Sequence, residues 1–441
     1  MKSPGYHSWG HYPETTQEIF RFRWTEDRPA FGPKSVLPFG NGRSYGDSCL
    51  NDGGVLLDAR GLDRLIAFDP ATGLVSCEAG VLLSQLLEWL VPMGWFLPVT
   101  PGTKYVTVGG AVANDVHGKN HHRAGTFGAH VDQLALLRSD GKVYICGPEE
   151  NSGLFRSTIG GLGLTGVILW TRIQMRRIEN PLMDTETIRF ENMDEFLSLS
   201  ECSDRDYEYT VAWIDCLASK GSLGRGLFMR GNHASPFRKI PKRKTRTWSI
   251  PFTLPFSLVN PISLRIFNSL YYRKQWARKS RMIGDYNPFF YPLDGVGNWN
   301  RVYGRRGFLQ YQCVVPLSGG REAIREILSR IARSRVGSFL AVLKVFGSPK
   351  SPGLLSFPRP GITLALDFPN QGTRTLALLS NLDEVVLQAS GAVYPAKDAR
   401  MSAESFQTFF PEWVELEQFR DPAFSSSFWR RVTGGKECEK F

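Results

Sequence analysis

The sequence predicts an α+β protein of two domains, on three observations. The chain has 441 residues, more than one hydrophobic core ordinarily serves. Its first part runs through short β-rich stretches and turns around one clear helix, without a regular βαβ alternation. From about residue 177 to 390 longer β-rich stretches return with helical ones between them. Apolar residues make up 42% of the chain and charged ones 22%, a globular composition without internal repeats or low-complexity stretches.

In chain order, residues 35–37 read as a strand end, and 54–58, 65–68 and 74–79 as strands, the last entered through the turn Ala71-Thr72-Gly73. Leu83, Leu86, Leu87, Leu90 and Val91 recur at helical spacing, and Pro92 with Gly94 ends that helix. Residues 134–137 and 143–145 flank Asp140-Gly141, a hairpin signal, and 167–175 form a further strand. In the middle region 308–315, 339–346 and 362–368 are β-rich, while 322–331 and 379–387 are helical. Strand alternation puts Gln310 and Gln312 on one face, opposite Leu309, Tyr311 and Cys313. Leu340, Val342, Lys344 and Phe346 share a face of the next strand. A lysine in so apolar a strand needs a partner or a wet cavity, unless it lies on a sheet edge.

The seven cysteines are scattered, odd in number and without CxxC spacing, so they are expected to be reduced thiols. The N-terminal stretch has no apolar core or small-residue cleavage site, and no classical secretion signal is expected. The net charge of +11 is local. Residues 238–281 hold Lys or Arg at 238, 239, 242, 243, 244, 246, 265, 273, 274, 278, 279 and 281, with no Asp or Glu. Between these basic flanks lies an apolar, aromatic stretch. Prolines 251, 255 and 261 and the charge of Arg265 argue against a spanning helix. The segment reads as a monotopic contact with an anionic membrane surface, or as a lid folded over the protein's own cleft. Nucleic acid is not expected, because no binding motif accompanies the charge.

Chemistry concentrates in glycine clusters. The first is Pro38-Phe39-Gly40-Asn41-Gly42-Arg43-Ser44-Tyr45-Gly46-Asp47, whose glycines let backbone N–H groups converge on a phosphate, although such spacing alone also fits an ordinary turn. The second spans 101–122, where Gly109, Gly110, Ala111 and Ala113 let a flat ring lie against backbone and Thr103 and Thr107 offer hydroxyls. His117, His121 and His122 invite a metal, but Gly118 breaks the helix that would align them and no metal is expected. Residues 161–166 match GxGxxG, yet a strand-like stretch follows where a nicotinamide dinucleotide site requires a helix.

In this order the clusters resemble the FAD-binding domain of the vanillyl-alcohol-oxidase and p-cresol-methylhydroxylase superfamily. Across almost the whole chain, the sequence resembles the flavoprotein oxidase subunits of decaprenylphosphoryl-ribose 2′-epimerases. The likeness runs through 40–47, 101–122 with its HGKNHH, 127–128, 160–166, 299–301, 307–312, 344–347, 367–369 and 394–398. It implies a two-domain FAD-binding fold, with residues 1–181 and 392–441 forming the FAD domain. Residues 182–391 would be an antiparallel-sheet substrate domain. It implies non-covalent FAD held by Gly40, Asn41, Gly42, Arg43, Ser44, Tyr45, Gly46, Asp47, Gly102, Thr103, Thr107, Gly109, Gly110, Ala113, His117, Gly118, Asn120, Val167 and Tyr394. Arg43 stands where relatives with covalent flavin often place a histidine.

The same resemblance implies oxidation of the 2′-hydroxyl of a polyprenylphosphoryl pentose to a ketone, with Lys397, Tyr45 and His117 as the catalytic group. Gln310, Gln312, Lys344, Thr363 and Ala365 would meet the sugar and its phosphate. Ala365 and Thr363 replace a cysteine and an asparagine of the mycobacterial members, which leaves the exact sugar open. The expected partners are a lipid-linked sugar, a membrane surface and a short-chain NADH-dependent reductase that completes the epimerisation. A soluble sugar-acid or alditol oxidase of the same superfamily is the alternative.

Overall fold

A computed structural model describes residues 5–218, 220–236 and 248–434. The first region builds two main sheets and a two-stranded pairing of Trp95–Phe96 with Arg176–Arg177. Strands Glu18–Arg21, Val55–Asp58 and Val36–Phe39 form a three-stranded parallel sheet. A five-stranded antiparallel sheet has the order Leu65–Asp69, Leu74–Glu78, Val167–Gln174, Val131–Leu137, Val143–Cys146. The helix Leu83–Leu90 buries Leu83, Leu86, Leu87 and Leu90, the stripe that the helical spacing marks out. Gly94 follows it after a short turn containing Pro92.

The middle region forms one eight-stranded antiparallel sheet, ordered Lys279–Gly284, Met183–Phe190, Gly226–His233, Tyr209–Ile214, Ala341–Phe346, Gly361–Pro369, Phe308–Val315, Ala392–Val393. Lys344 therefore sits on an interior strand, and the edge-strand explanation for it fails. One face is covered by helices Gly320–Ser334 and Thr373–Gln388. Their Ile324, Ile327, Leu328, Leu379 and Leu382 pack into one core with Leu309, Tyr311, Cys313, Leu364 and Leu366. Both helices extend past their expected ends. The strand expected from 339 begins at Ala341, because the hydroxyl of Ser338 accepts from Leu340 N–H and turns the chain there.

The chain then returns to the first region. Val36 N–H donates to Ala423 O (2.8 Å) and Ser425 N–H to Val36 O (3.0 Å). Arg431 on the helix Ser427–Thr433 grips Asp47 (2.7 Å) and Asp398 (2.9 Å), which ties the first glycine loop to the closing segment.

Part of the basic segment is helical, though far too short to span a membrane. Pro261 opens a helix, Pro261–Arg273, capped by the Asn260 side chain, which accepts from Ile262 and Ser263 N–H. Proline fits a first helical position, where no N–H is needed. Basic residues 238, 239, 242, 243, 244 and 246 lie outside the described residues. Among the described residues no helix is long and apolar enough to cross a membrane, and the six cysteines there are free thiols.

Candidate active site

A cavity of about 960 Å³ separates the glycine loops of the first region from the uncovered face of the large sheet. That is the upper end of the size range of small-molecule sites.

One wall is mostly backbone. A Cβ on Gly40 would sit 2.3 Å from Thr107 Oγ1, so only glycine lets the two loops close on each other. Asn41 Nδ2 donates to Tyr105 O (2.8 Å), a second tie between them. Thr107 caps the short helix Val108–Ala113, accepting from Gly110 N–H. Arg43 donates to Asn41 O (2.8 Å) and lies 4.2 Å from the Trp9 ring centroid. Gly42, Ser44, Gly102, Thr103, Gly109, Gly110, Ala113, Gly118, Val167 and Tyr394 complete this wall.

The opposite wall is made by register. Across paired strands Gln310 faces Asp367, Gln312 faces Ala365, and Lys344 faces Thr363. Because side chains alternate along each strand, all six project from the face that the helices leave uncovered. At its centre His117 bridges the two walls. Lys344 Nζ lies 3.1 Å from its Nδ1, and the Gln312 amide lies 2.9 Å from its Nε2 and 3.3 Å from Thr363 Oγ1. Burial, reinforced by Lys344, holds the His117 pKa well below the usual histidine range.

A neutral imidazole has one N–H, so its tautomer follows Lys344. A charged lysine donates to Nδ1 and leaves the N–H on Nε2, which Gln312 could then meet only by flipping its amide, since its nitrogen now faces His117. A neutral lysine accepts from Nδ1–H, and Gln312 then donates to Nε2.

A second group surrounds Lys397, whose ammonium lies 4.0 Å from the Tyr45 ring centroid. Tyr45 is backed by Phe308 at 5.4 Å, edge to face. Gln310 Nε2 donates to Asp367 Oδ1 (2.5 Å), and Asp367 Oδ2 is buried with no hydrogen-bond partner among the described residues. Burial raises the Asp367 pKa to about 7 against the pull of Gln310 and Lys397. Burial lowers Lys397 to about 8 and Lys119 to about 8. It lowers Lys344 to about 7, with Lys119 and Lys397 pushing the same way. Lysines 119, 344 and 397 therefore line one cavity, and an anionic ligand there would favour their ammonium forms.

Every residue of the sequence-derived catalytic and substrate set lines this cavity: Lys397, Tyr45, His117, Gln310, Gln312, Lys344, Thr363 and Ala365. Three of the expected cofactor residues do not. A Cβ on Gly46 would meet the Asp398 carbonyl oxygen at 1.6 Å, Asp47 is turned to Arg431, and Asn120 donates to Pro98 O (2.8 Å). These residues brace the loops from behind. The histidines part company: His122 Nε2 meets Tyr207 O, while His121 is buried beside Phe346 with neither ring nitrogen partnered among the described residues.

Asp367 and Lys119 lie in segments that the sequence resemblance covers, but sequence reasoning gave neither a role. The alternation Thr363, Ala365, Asp367 contains the signal for the first. Lys119 lies in a loop without periodicity, its Nζ donating to Phe290 O (3.0 Å).

The wall that Cβ atoms would close, and the cations opposite it, fit a flat ring system carrying phosphates. A family model described as an FAD binding domain matches residues 31–147, which include both glycine loops. A decaprenylphosphoryl-β-D-ribose oxidase of Mycolicibacterium smegmatis is 38% identical over 416 residues, covering 91% of this chain and 90% of that protein. An uncharacterized Streptomyces coelicolor protein is 34% identical, covering 80% of this chain and 100% of its own length. Mouse L-gulonolactone oxidase is 30% identical over only 38% of this chain.

Proposed function

Because the chain belongs to the family of FAD-binding oxidases that contains the M. smegmatis decaprenylphosphoryl-β-D-ribose oxidase, and is thus an FAD-dependent oxidoreductase, we propose that it oxidises the 2′-hydroxyl of a polyprenylphosphoryl pentose to the ketone. The observation that supports this most is the sheet wall, where amides and lysines able to hold a sugar and its phosphate face the glycine wall across one slot. FAD, when bound, supplies the hydride acceptor.

The chain's own residues do the rest. The loops at 40–45 and 102–118 hold the cofactor, and Arg43, which cannot form the histidine-type bond, leaves it dissociable. Lys344 meets the phosphate as a point charge. Gln310 and Gln312 orient sugar hydroxyls. Lys397, neutral for part of its population because burial lowers it to about 8, accepts the hydroxyl proton, with Tyr45 and His117 positioning the alcohol. General-base assistance of this kind contributes about 10²–10⁴-fold. Residues 1–181 and 392–441 serve as the FAD domain in this reading, and 182–391 as the substrate domain.

A ketone at C2 needs hydride return from the other face to complete epimerisation, and the partner proposed to supply it is a short-chain NADH-dependent reductase. An anionic membrane surface, where a lipid-tailed substrate would be held, is the second proposed partner. The test is to incubate holoprotein with polyprenylphosphoryl ribose and an electron acceptor. Product lighter by H₂, regaining deuterium at C2 on borodeuteride treatment, is expected. Unchanged lipid alongside turnover of a soluble aldonolactone or alditol would reverse the conclusion.

A further inference from the structure

The helix Pro261–Arg273 has two apolar faces. Its inner face packs inward: Leu264 is fully buried, Asn268 donates to Asp215 Oδ1 (2.9 Å), and Phe267 and Tyr271 line the active-site cavity. Its outer face exposes Ile262 (71%), Ile266 (57%) and Leu270 (66%), one helical turn apart. The neighbouring stretches of chain also expose Phe252, Phe256, Met282 and Trp276, the last 91% exposed. Three large apolar side chains exposed along one helix face mark an interaction surface.

The cations of this stretch are only partly paired. Arg278, Lys279 and Arg281 are paired with Glu195, Glu186 and Asp184. Arg265 and Arg273 have no carboxylate partner among the described residues, and Lys274 lies over the Tyr271 ring at 3.5 Å. An apolar stripe rimmed by unpaired cations is complementary to the headgroup and acyl boundary of an anionic bilayer.

We propose that the outer face of this helix docks on an anionic membrane, and that its inner face is the wall past which a membrane-held lipid tail leaves the cavity. The tail route rests on the substrate class proposed above, whereas the docking surface stands on the exposed residues alone. One helix then faces hydrocarbon on one side and the reacting site on the other, so the sugar phosphate reaches the cavity without its tail leaving the bilayer.

The test uses holoprotein and vesicles of equimolar phosphatidylglycerol and phosphatidylcholine. Wild type floats with the vesicles and is released by salt, as a screened electrostatic contribution requires. The triple variant Ile262→Glu, Ile266→Glu, Leu270→Glu partitions at least about tenfold more weakly and keeps its flavin absorbance. It bleaches normally with a water-soluble short-chain prenylphosphoryl ribose, because none of the three lines the cavity, but slowly with substrate embedded in vesicles. Arg265→Gln with Arg273→Gln weakens binding and its salt dependence without placing charge on the stripe.

Equal vesicle binding by wild type and triple variant would overturn the docking surface. So would a wild-type dimer that the triple variant converts to monomer, which would make the stripe a self-association face. Normal bleaching by vesicle-embedded substrate in a variant that no longer docks would overturn the tail route. Failure of wild type to bleach with either substrate, with docking intact, would instead refute the substrate class.

Discussion

The two walls of the cavity are built by opposite means. The loop wall is shaped by absent side chains, and its close approaches, such as Gly40 to Thr107, depend on backbone. The sheet wall is shaped by side chains set in register, with Lys344 opposite Thr363 and Gln312 opposite Ala365. Damage to the first should cost the cofactor, and damage to the second should cost chemistry while the cofactor stays.

The sharpest break is Gly46→Ala. The added carbon would stand 1.6 Å from the Asp398 carbonyl oxygen, so loop and closing segment must separate. The expected result is protein with little or no flavin, read from the ratio of visible to ultraviolet absorbance. On the sheet side, Lys397→Ala should keep full flavin and slow anaerobic bleaching by substrate about 10²–10⁴-fold. Stopped-flow reduction at saturating substrate measures it, and an unchanged rate removes Lys397 from the proton path.

Lys344→Met should act on binding. Loss of one charge-assisted contact, worth about 1.5–3 kcal/mol, raises the substrate dissociation constant about 10–150-fold, with a smaller change in the bleaching rate at saturation.

The finest comparison is a pH profile. Lys397 must be neutral to take a proton, so bleaching should rise as pH climbs through about 8. The Asp367 carboxylate favours the ammonium form, and Asp367→Asn should therefore shift this limb to lower pH while flavin content stays constant. A shift upward would contradict the electrostatic link between the two.

The same contrast explains what the sequence disclosed. The loop wall was legible because glycine spacing is a local signal, and the helix Leu83–Leu90 because its apolar stripe is periodic. Alternation put Gln310 and Gln312 on one face, but which residues they meet is set by strand pairing across more than fifty positions, as between Gln310 and Asp367. Asp47 and Asn120 share a loop with cavity residues yet turn away, because Arg431 and the Pro98 carbonyl claim them. Pro261 argues against a spanning helix, and it opens the short helix Pro261–Arg273 behind its cap Asn260, a first-turn position where its missing N–H costs nothing.

The central claim, that the sheet wall presents a lipid-linked pentose to bound FAD, is tested most directly by anaerobic titration of the holoprotein with polyprenylphosphoryl ribose. Stoichiometric loss of the visible flavin bands is the result expected here. A spectrum unmoved by that lipid but bleached by a soluble aldonolactone or alditol would contradict it.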